Sequence, residues 1–311
     1  MSVERIVEFE GVDRSDTLDI TIRLSDRCNF TCNYCSYYDN TEKFFSKQHM
    51  IRLFESILDE VPDRDIMFYL HGGEPTIVPK LQDILVHVLT KYNKQKISFE
   101  IQTNTSQHIK WFKKLIPYNE CIKFVCSYQH HQNKSFQTWL DKVLFLEDNN
   151  MLHCIDFMLE HEQEDEVIDC LQSILDSHSN IIKYISLHYI NYTINDKYTG
   201  ISTHFNKPTD IYKITYNNGK VDLVEKNKIH SNNLDEFKFF KCEAGRKNLV
   251  VDVNGDVWYC LGHKGFGRAI NKTKPQFNIF KNNMIQSITS KDCICLWSKC
   301  YCELWLKKWR V

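Results

Sequence analysis

The sequence has little glycine or proline and no long apolar run. Its 311 residues include 10 Gly and 6 Pro, with no repeated or low-complexity tract, so we expect an ordered chain rather than a collagen-like or disordered one. No run of about 18 apolar residues occurs, which excludes a membrane span. Residues 1–20 also lack the basic start and apolar core of a secretion signal. We therefore expect a cytoplasmic protein.

An excess of charge of either sign is also missing. The 39 Lys and Arg residues offset 40 Asp and Glu, leaving a formal net charge of −1, so the sequence gives no sign of nucleic-acid binding. The chain is rich in cysteine instead, with 13 residues. Because cytosolic thiols are kept reduced, a disulfide framework is not expected, and ligation of a metal or cluster becomes the leading use.

Short β-branched or aromatic runs alternate with helical patterns between residues 19 and 190. Strands are predicted near 19–24, 66–71, 97–102, 121–127, 152–158 and 182–189, and helices near 46–60, 78–93, 106–116, 134–149 and 163–177. This alternation is typical of βα units around a parallel sheet. It predicts an α/β fold, a partial (β/α)6 TIM-like barrel with its active site at the strand C-termini. A doubly wound sheet would give the same pattern.

After residue 190 this alternation stops, and turns and cysteines follow. Asn217-Asn218-Gly219 and Asn254-Gly255 each lie between two strand-like runs, which predicts two β-hairpins. We divide the chain into an N-terminal extension (1–18), the partial barrel (19–190), a connecting segment with a hairpin (191–241) and a small cysteine-rich C-terminal domain (242–311).

Three cysteines cluster directly after the first predicted strand. Cys28, Cys32 and Cys35 form a C-x3-C-x2-C motif in RLSDRCNFTCNYCSYYD. Thiolates are the ligands that iron–sulfur clusters require, and three of them leave one iron of a four-iron cube free to bind something else. A zinc knuckle is the alternative.

This spacing resembles that of the radical S-adenosylmethionine (SAM) superfamily, in which SAM chelates the fourth iron of a [4Fe–4S] cluster. The second predicted strand ends in Gly72-Gly73-Glu74-Pro75, and a Gly-Gly-Glu-Pro at this place receives the methionyl amino group of SAM in that superfamily. Adjacent glycines let the backbone approach a ligand closely, and Glu74 can accept hydrogen bonds from an ammonium.

The resemblance also implies roles for four polar side chains. Tyr34 would lie beside the adenine, and Thr103, Asn104 and Ser127, at the ends of the third and fourth predicted strands, would hold the carboxylate and ribose of SAM. For the last three, ordinary capping of a strand end is the alternative.

The remaining cysteines fall into two groups. Six lie in the predicted C-terminal domain: Cys242, Cys260, Cys293, Cys295, Cys300 and Cys302. The Asn254-Gly255 hairpin brings the flanks of the first two together, so both can reach one metal. Four others fall within predicted strands or a helix and are expected to be small buried hydrophobes: Cys121, Cys126, Cys154 and Cys170.

The C-terminal cysteines resemble the twitch or SPASM extension of radical SAM enzymes. The resemblance implies one auxiliary [4Fe–4S] cluster, held by Cys242, Cys260 and two of the last four cysteines. Two clusters and structural zinc are the alternatives. A full SPASM extension has seven cysteines at other spacings, so the match is partial.

The resemblance implies an enzyme that cleaves SAM reductively to a 5′-deoxyadenosyl radical and removes a hydrogen atom from a substrate. An electron donor such as flavodoxin or ferredoxin would reduce the cluster. We expect oxidation, cross-linking or epimerisation of a ribosomally made peptide, although no separate leader-binding domain is predicted. A small molecule such as a sugar or cyclitol is the alternative substrate. A non-enzymatic electron-transfer protein is the third hypothesis. The sequence predicts no catalytic acid or base.

Overall fold

The structure is a computed structural model. It describes residues 5–10, 17–35, 44–160, 163–190, 201–204, 211–225, 228–229, 232–260, 274–282, 285–289, 292–295 and 307–310. In chain order its elements are β1 (Ile6–Glu10), β2 (Leu18–Arg23), α1 (Lys47–Leu58), β3 (Ile66–His71), α2 (Leu81–Lys91), β4 (Ile97–Thr103), α3 (Ile109–Lys113), β5 (Ile122–Tyr128), α4 (Phe136–Asp148), β6 (Leu152–Glu160), α5 (Glu164–Ser177), β7 (Ile185–Ile190), β8 (Ile201–His204), β9 (Ile211–Tyr216), β10 (Val221–Glu225), β11 (Lys241–Cys242), β12 (Asn248–Asp252), β13 (Asp256–Trp258), β14 (Phe277–Asn278), α6 (Ile285–Ile288), β15 (Cys293–Ile294) and β16 (Lys308–Trp309).

All six predicted barrel strands are present, and they lie side by side in sequence order. Strands β2 to β7 pair in parallel, each with the next. A doubly wound sheet reverses its strand order at a switch point, and this consecutive order has no reversal. The prediction of a partial TIM-like barrel is therefore confirmed, and its C-terminal strand ends meet along one edge.

Alternation along the strands separates an apolar outer face from a polar inner face. Ile20, Phe68, Phe99 and Phe157 are essentially unexposed and belong to the main core with the helices. Because successive strand residues point to opposite faces, the residues between them line the inner face. The first helix begins where its sequence predicts, whereas α2 and α3 begin three residues later than the predicted starts at 78 and 106. The Ser46 hydroxyl accepts a hydrogen bond from the third residue of α1 at 3.2 Å, an N-cap that stabilises a helix by about 1 kcal/mol.

A second, antiparallel sheet has the order β10-β9-β1-β16-β11-β15. It joins residues from near both chain ends, because β1 pairs with β9 and β16. Both predicted hairpins are present, as β9–β10 and β12–β13. Strand β12 also pairs in parallel with β2, so the second hairpin extends the barrel sheet. The division into segments 1–18, 19–190, 191–241 and 242–311 stays a proposal.

The four cysteines expected to be buried differ in exposure. Cys126 is 0% exposed and Cys154 is 7% exposed, as predicted. Cys121 and Cys170 are only half-buried, because each lies at the edge of the main core rather than inside it. Among the helices that the structure describes, none is long and apolar enough to cross a membrane.

Candidate functional site

The three N-terminal cysteines lie in the segment that follows β2, residues 24–35, named here the cysteine loop. Cys28, Cys32 and Cys35 are half-buried, and the loop turns where the Cys35 N–H donates to the Cys32 carbonyl at 3.0 Å. Burial raises the pKa of Cys28 to about 11 and that of Cys32 to about 12, and the charges of the neighbouring thiolates add to both shifts. The Tyr34 hydroxyl beside Cys32 lowers the pKa of that thiol and so opposes the shift. The Cys28 and Cys32 thiols are therefore protonated at neutral pH and would release protons on binding iron.

The loop after β3 is packed directly on the cysteine loop. The Gly73 N–H donates to the Ser25 carbonyl at 2.6 Å. A Cβ atom on Gly73 would lie 2.8 Å from the carbonyl oxygen of Asp26 and closer still to that of Arg27. Gly72 has a φ of +140°, and a Cβ there would clash with the Ser25 carbonyl. The sequence predicts that these two glycines let the backbone approach a ligand. The structure shows a second reason for glycine here, because any side chain would overlap the backbone of the cysteine loop.

Glu74 joins the ends of β3 and β4. Its side chain caps the short turn that begins at Pro75, and its Oε1 accepts from the Thr76 N–H at 2.9 Å, the Thr76 hydroxyl at 2.5 Å and the Thr103 hydroxyl at 2.7 Å. Oε2 accepts from the Asn104 N–H at 2.6 Å. Burial raises the pKa of Glu74, and these hydrogen bonds oppose that shift. The sequence predicts Glu74 as an acceptor for an ammonium, whereas the contacts present here are those of a positioning residue.

The segments that follow β4 and β5 also contact the cysteine loop. The Asn104 Nδ2 donates to the Asn29 side chain at 3.0 Å and lies 3.9 Å from the Cys28 sulfur. From the segment after β5, the Gln132 side chain accepts from the Thr31 N–H at 3.1 Å. The structure therefore brings the predicted residues at the ends of β3 and β4 to the cysteine loop, with Asn104 beside Cys28.

Buried polar atoms at the same strand ends suit a polar ligand. The Ser127 hydroxyl donates to the Thr103 carbonyl at 3.2 Å and accepts from Gln129 at 2.8 Å. Within the described residues, the Ser106 hydroxyl and the Gln129 Oε1 are buried without a hydrogen-bond partner. Buried polar atoms normally have partners, so a ligand rich in donors and acceptors, such as SAM, fits this edge.

Three thiols on one short loop are a ligand set that an iron–sulfur cluster can use. Among the described side chains, no three His, Cys, Asp or Glu converge on a point as the ligands of a single ion do. A four-iron cube presents its irons at separate corners, so its thiolates need not share one centre. Three neighbouring thiols on one loop meet that requirement.

Four of the six C-terminal cysteines come together at β11 and β15. Cys242 and Cys293 are cross-strand partners, 4% and 6% exposed, and Cys260 packs against them. A hydrogen bond between Cys242 and Cys293 lowers the pKa of the first thiol and raises that of the second. The charges of Cys260 and Cys295 raise the pKa of Cys293 further, so all four lie within electrostatic reach. Cys300 and Cys302 lie outside the described residues.

Two histidine–carboxylate pairs, whose pairing the sequence did not predict, lie at the C-terminal ends of β5 to β7. His188 Nε2 lies 3.1 Å from Asp156 Oδ1 and 3.2 Å from the Ser186 hydroxyl, and His131 Nδ1 lies 2.9 Å from Glu160 Oε1. Glu160 is close enough to the cysteine loop to raise the pKa of a thiol there. The available signal was weak: Asp156 and Glu160 in LHCIDFMLE, and Ser186 and His188 in ISLHYI, are polar residues at even-numbered positions, which are the positions of the inner face. Such pairs can accept and hold a proton.

Comparison with known proteins gives the following likenesses. Residues 22–161 match the family model described as the radical SAM superfamily. A search of curated proteins found no significant match. Among solved structures, native anSMEcpe with bound AdoMet has a TM-score of 0.54 and 16% identity, covering 86% of this chain and 79% of that one. Native anSMEcpe with bound AdoMet and Cp18Cys peptide gives 0.53 and 15%, with 87% and 79% covered. BtrN in complex with AdoMet and 2-DOIA gives 0.47 and 16%, with 88% and 82% covered.

Proposed function

We propose that this chain, whose residues 22–161 match the radical SAM superfamily model, is an enzyme that cleaves SAM at a [4Fe–4S] cluster and uses the resulting radical to modify a ribosomally made peptide. One observation carries the proposal. The cysteine loop, the Gly72-Gly73 pair and Asn104 form one hydrogen-bonded unit at the C-terminal ends of β2 to β4.

Each part of this unit has a proposed role. Cys28, Cys32 and Cys35 hold the cluster. The backbone of Gly72 and Gly73 and the Glu74 carboxylate accept the ammonium of SAM, and Glu74 also positions Asn104. SAM is further held by Tyr34, Pro75, Thr103, Asn104 and Ser127. When bound, the reduced cluster supplies the electron that cleaves SAM to methionine and a 5′-deoxyadenosyl radical.

The substrate class is inferred from the inner face. The structure of anSMEcpe with AdoMet and Cp18Cys peptide holds a peptide together with AdoMet in a similar fold, which supports a peptide substrate here. The Asp156–His188 pair can accept the proton that is released when a peptide radical is oxidised. The same polar group, with the Ser186 hydroxyl, would also bind the hydroxyls of a sugar or cyclitol, which is the second candidate.

The C-terminal cysteines would hold an auxiliary [4Fe–4S] cluster. Its proposed ligands are Cys242, Cys260 and two of the last four cysteines. Of these four, Cys293 packs with Cys242 and Cys260, and Cys295 lies near enough to Cys293 for its charge to raise that thiol's pKa. Cys300 and Cys302 remain the other candidates, with a second auxiliary cluster as the alternative. Flavodoxin or ferredoxin would deliver the electrons.

Anaerobic reconstitution tests the proposal. We expect about four irons per cluster and about eight per chain, and 5′-deoxyadenosine should form with dithionite and SAM. Replacing Cys28, Cys32 and Cys35 together by Ala should abolish 5′-deoxyadenosine and keep the auxiliary cluster, whereas Cys121→Ala, the matched control, should change neither. If the triple variant still cleaves SAM, the cluster is not at these cysteines. A short reading frame beside the gene would supply the peptide to assay first.

A further inference from the structure

One row of side chains crosses five strands of the second sheet. The register pairs Ile214 with Phe9, Phe9 with Lys308, Lys308 with Cys242, and Cys242 with Cys293. Directly opposite residues of an antiparallel pair lie on the same face, with Cβ atoms about 5 Å apart. The row therefore runs from an apolar core to the C-terminal cysteines, and Lys308 is the member that separates the two.

Lys308 is 0% exposed, which is rare for a lysine. Its Nζ lies 5.4 Å from the ring centroid of Phe9 and 5.1 Å from that of Phe237, so the ammonium faces two aromatic rings. The rings hold the charge at a fixed place beside the cysteine strand rather than letting it reach water.

The preceding residue, Lys307, has an ordinary surface role. Its side chain is 38% exposed and forms ion pairs with Glu8 at 2.8 Å and Glu10 at 3.6 Å. Because neighbouring strand residues point to opposite faces, Lys307 lies away from the row that contains Cys242. The two lysines thus form a matched pair, one buried beside the cysteines and one on the surface.

We propose that Lys308 sets the reduction potential of the iron–sulfur centre that Cys242 and Cys293 help to hold. The inference rests on the auxiliary cluster proposed above. Reduction adds a negative charge to such a centre, and net charge is one of the factors that set its potential. A fixed ammonium stabilises the reduced state, and it does so most strongly in apolar surroundings. Lys308 therefore raises the potential and makes the centre a better electron acceptor.

The test isolates the C-terminal centre. In full-length protein with Cys28, Cys32 and Cys35 changed to Ala, the auxiliary cluster alone is titrated with dithionite and followed by electron paramagnetic resonance. Lys308→Met keeps the length of the side chain and removes the charge, and Lys308→Arg keeps the charge. Lys308→Gln is a second neutral variant in case the methionine is not accommodated, and Lys307→Met is the control.

The expected result is a shift of the midpoint potential to more negative values in Lys308→Met and Lys308→Gln, at unchanged iron content, with Lys308→Arg and Lys307→Met close to the parent. An unchanged potential in a neutral variant that keeps its iron would overturn the inference and leave the auxiliary cluster standing. If both neutral variants lose the cluster and the arginine variant keeps it, Lys308 acts in assembly, and the inference fails. If the parent itself lacks a C-terminal cluster, the proposed auxiliary site fails first.

Discussion

The substitution Gly73→Ala tests whether the packing of two loops controls SAM cleavage. The added Cβ would enter the space of the Arg27 carbonyl and approach the Asp26 carbonyl oxygen to 2.8 Å. Both partners are backbone atoms, so no side chain can rotate away. Relieving the overlap requires the cysteine loop to move by on the order of 1 Å, and a misplacement of that size costs about 100-fold in rate.

The same movement weakens the contacts that hold the loop. It stretches the hydrogen bonds from the Gly73 N–H to Ser25 at 2.6 Å and from the Glu74 N–H to Arg27 at 2.9 Å, each worth about 1 kcal/mol. With overpacking of about 1–3 kcal/mol, the local cost is about 3–5 kcal/mol. Because it falls on a loop that can shift without unfolding the barrel, we expect the midpoint of thermal unfolding to fall by only part of what this cost implies. Formation of 5′-deoxyadenosine should fall about 100-fold.

Gly219→Ala is the matched control. Gly219 has a φ of +82°, and nothing lies within 4 Å of a Cβ placed there, so the substitution costs only backbone strain of about 1–2 kcal/mol. It should leave the rate of SAM cleavage unchanged. The reasoning fails if Gly73→Ala retains a cleavage rate within a few-fold of the wild type at full iron content, since the cysteine loop would then tolerate the displacement.

Three further predictions concern buried groups. Glu74→Gln should lower the free energy of unfolding in urea by about 2–3 kcal/mol. The amide NH2 of glutamine would face N–H and O–H groups that now donate to the carboxylate, the Asn104 N–H among them. An unchanged unfolding curve would contradict this prediction. Iron uptake by the metal-free protein should rise between about pH 7 and about pH 9, because burial keeps the pKa values of Cys28 and Cys32 high and iron binds the deprotonated thiols; a flat profile would show that these thiols do not limit assembly. Cys126→Ser should lower the free energy of unfolding by about 1–3 kcal/mol, because a hydroxyl replaces a thiol at a position that is 0% exposed. It should leave the iron content unchanged, and a loss of iron would show that Cys126 is a ligand.

Local patterns in the sequence predicted the strands and helices of the barrel and the two β-hairpins that follow it in the chain. The strand from 66 to 71 and the helix that Ser46 caps follow from side-chain spacing and from one hydroxyl, which depend only on neighbours along the chain. The C-x3-C-x2-C and Gly-Gly-Glu-Pro motifs are local for the same reason. The sequence also predicted that Cys242 and Cys260 approach each other, since a tight hairpin lies between them.

Only the tertiary structure decided which distant groups meet. The strand order excluded a doubly wound sheet, whose βα units have the same local pattern. Asp156 and His188 lie on different strands, and their pairing depends on the register of β6 against β7. Lys308 meets Cys242 because β16 and β11 pair across a long sequence separation. Register is set by which faces are buried when the whole sheet packs, and no local spacing in the sequence contains that information.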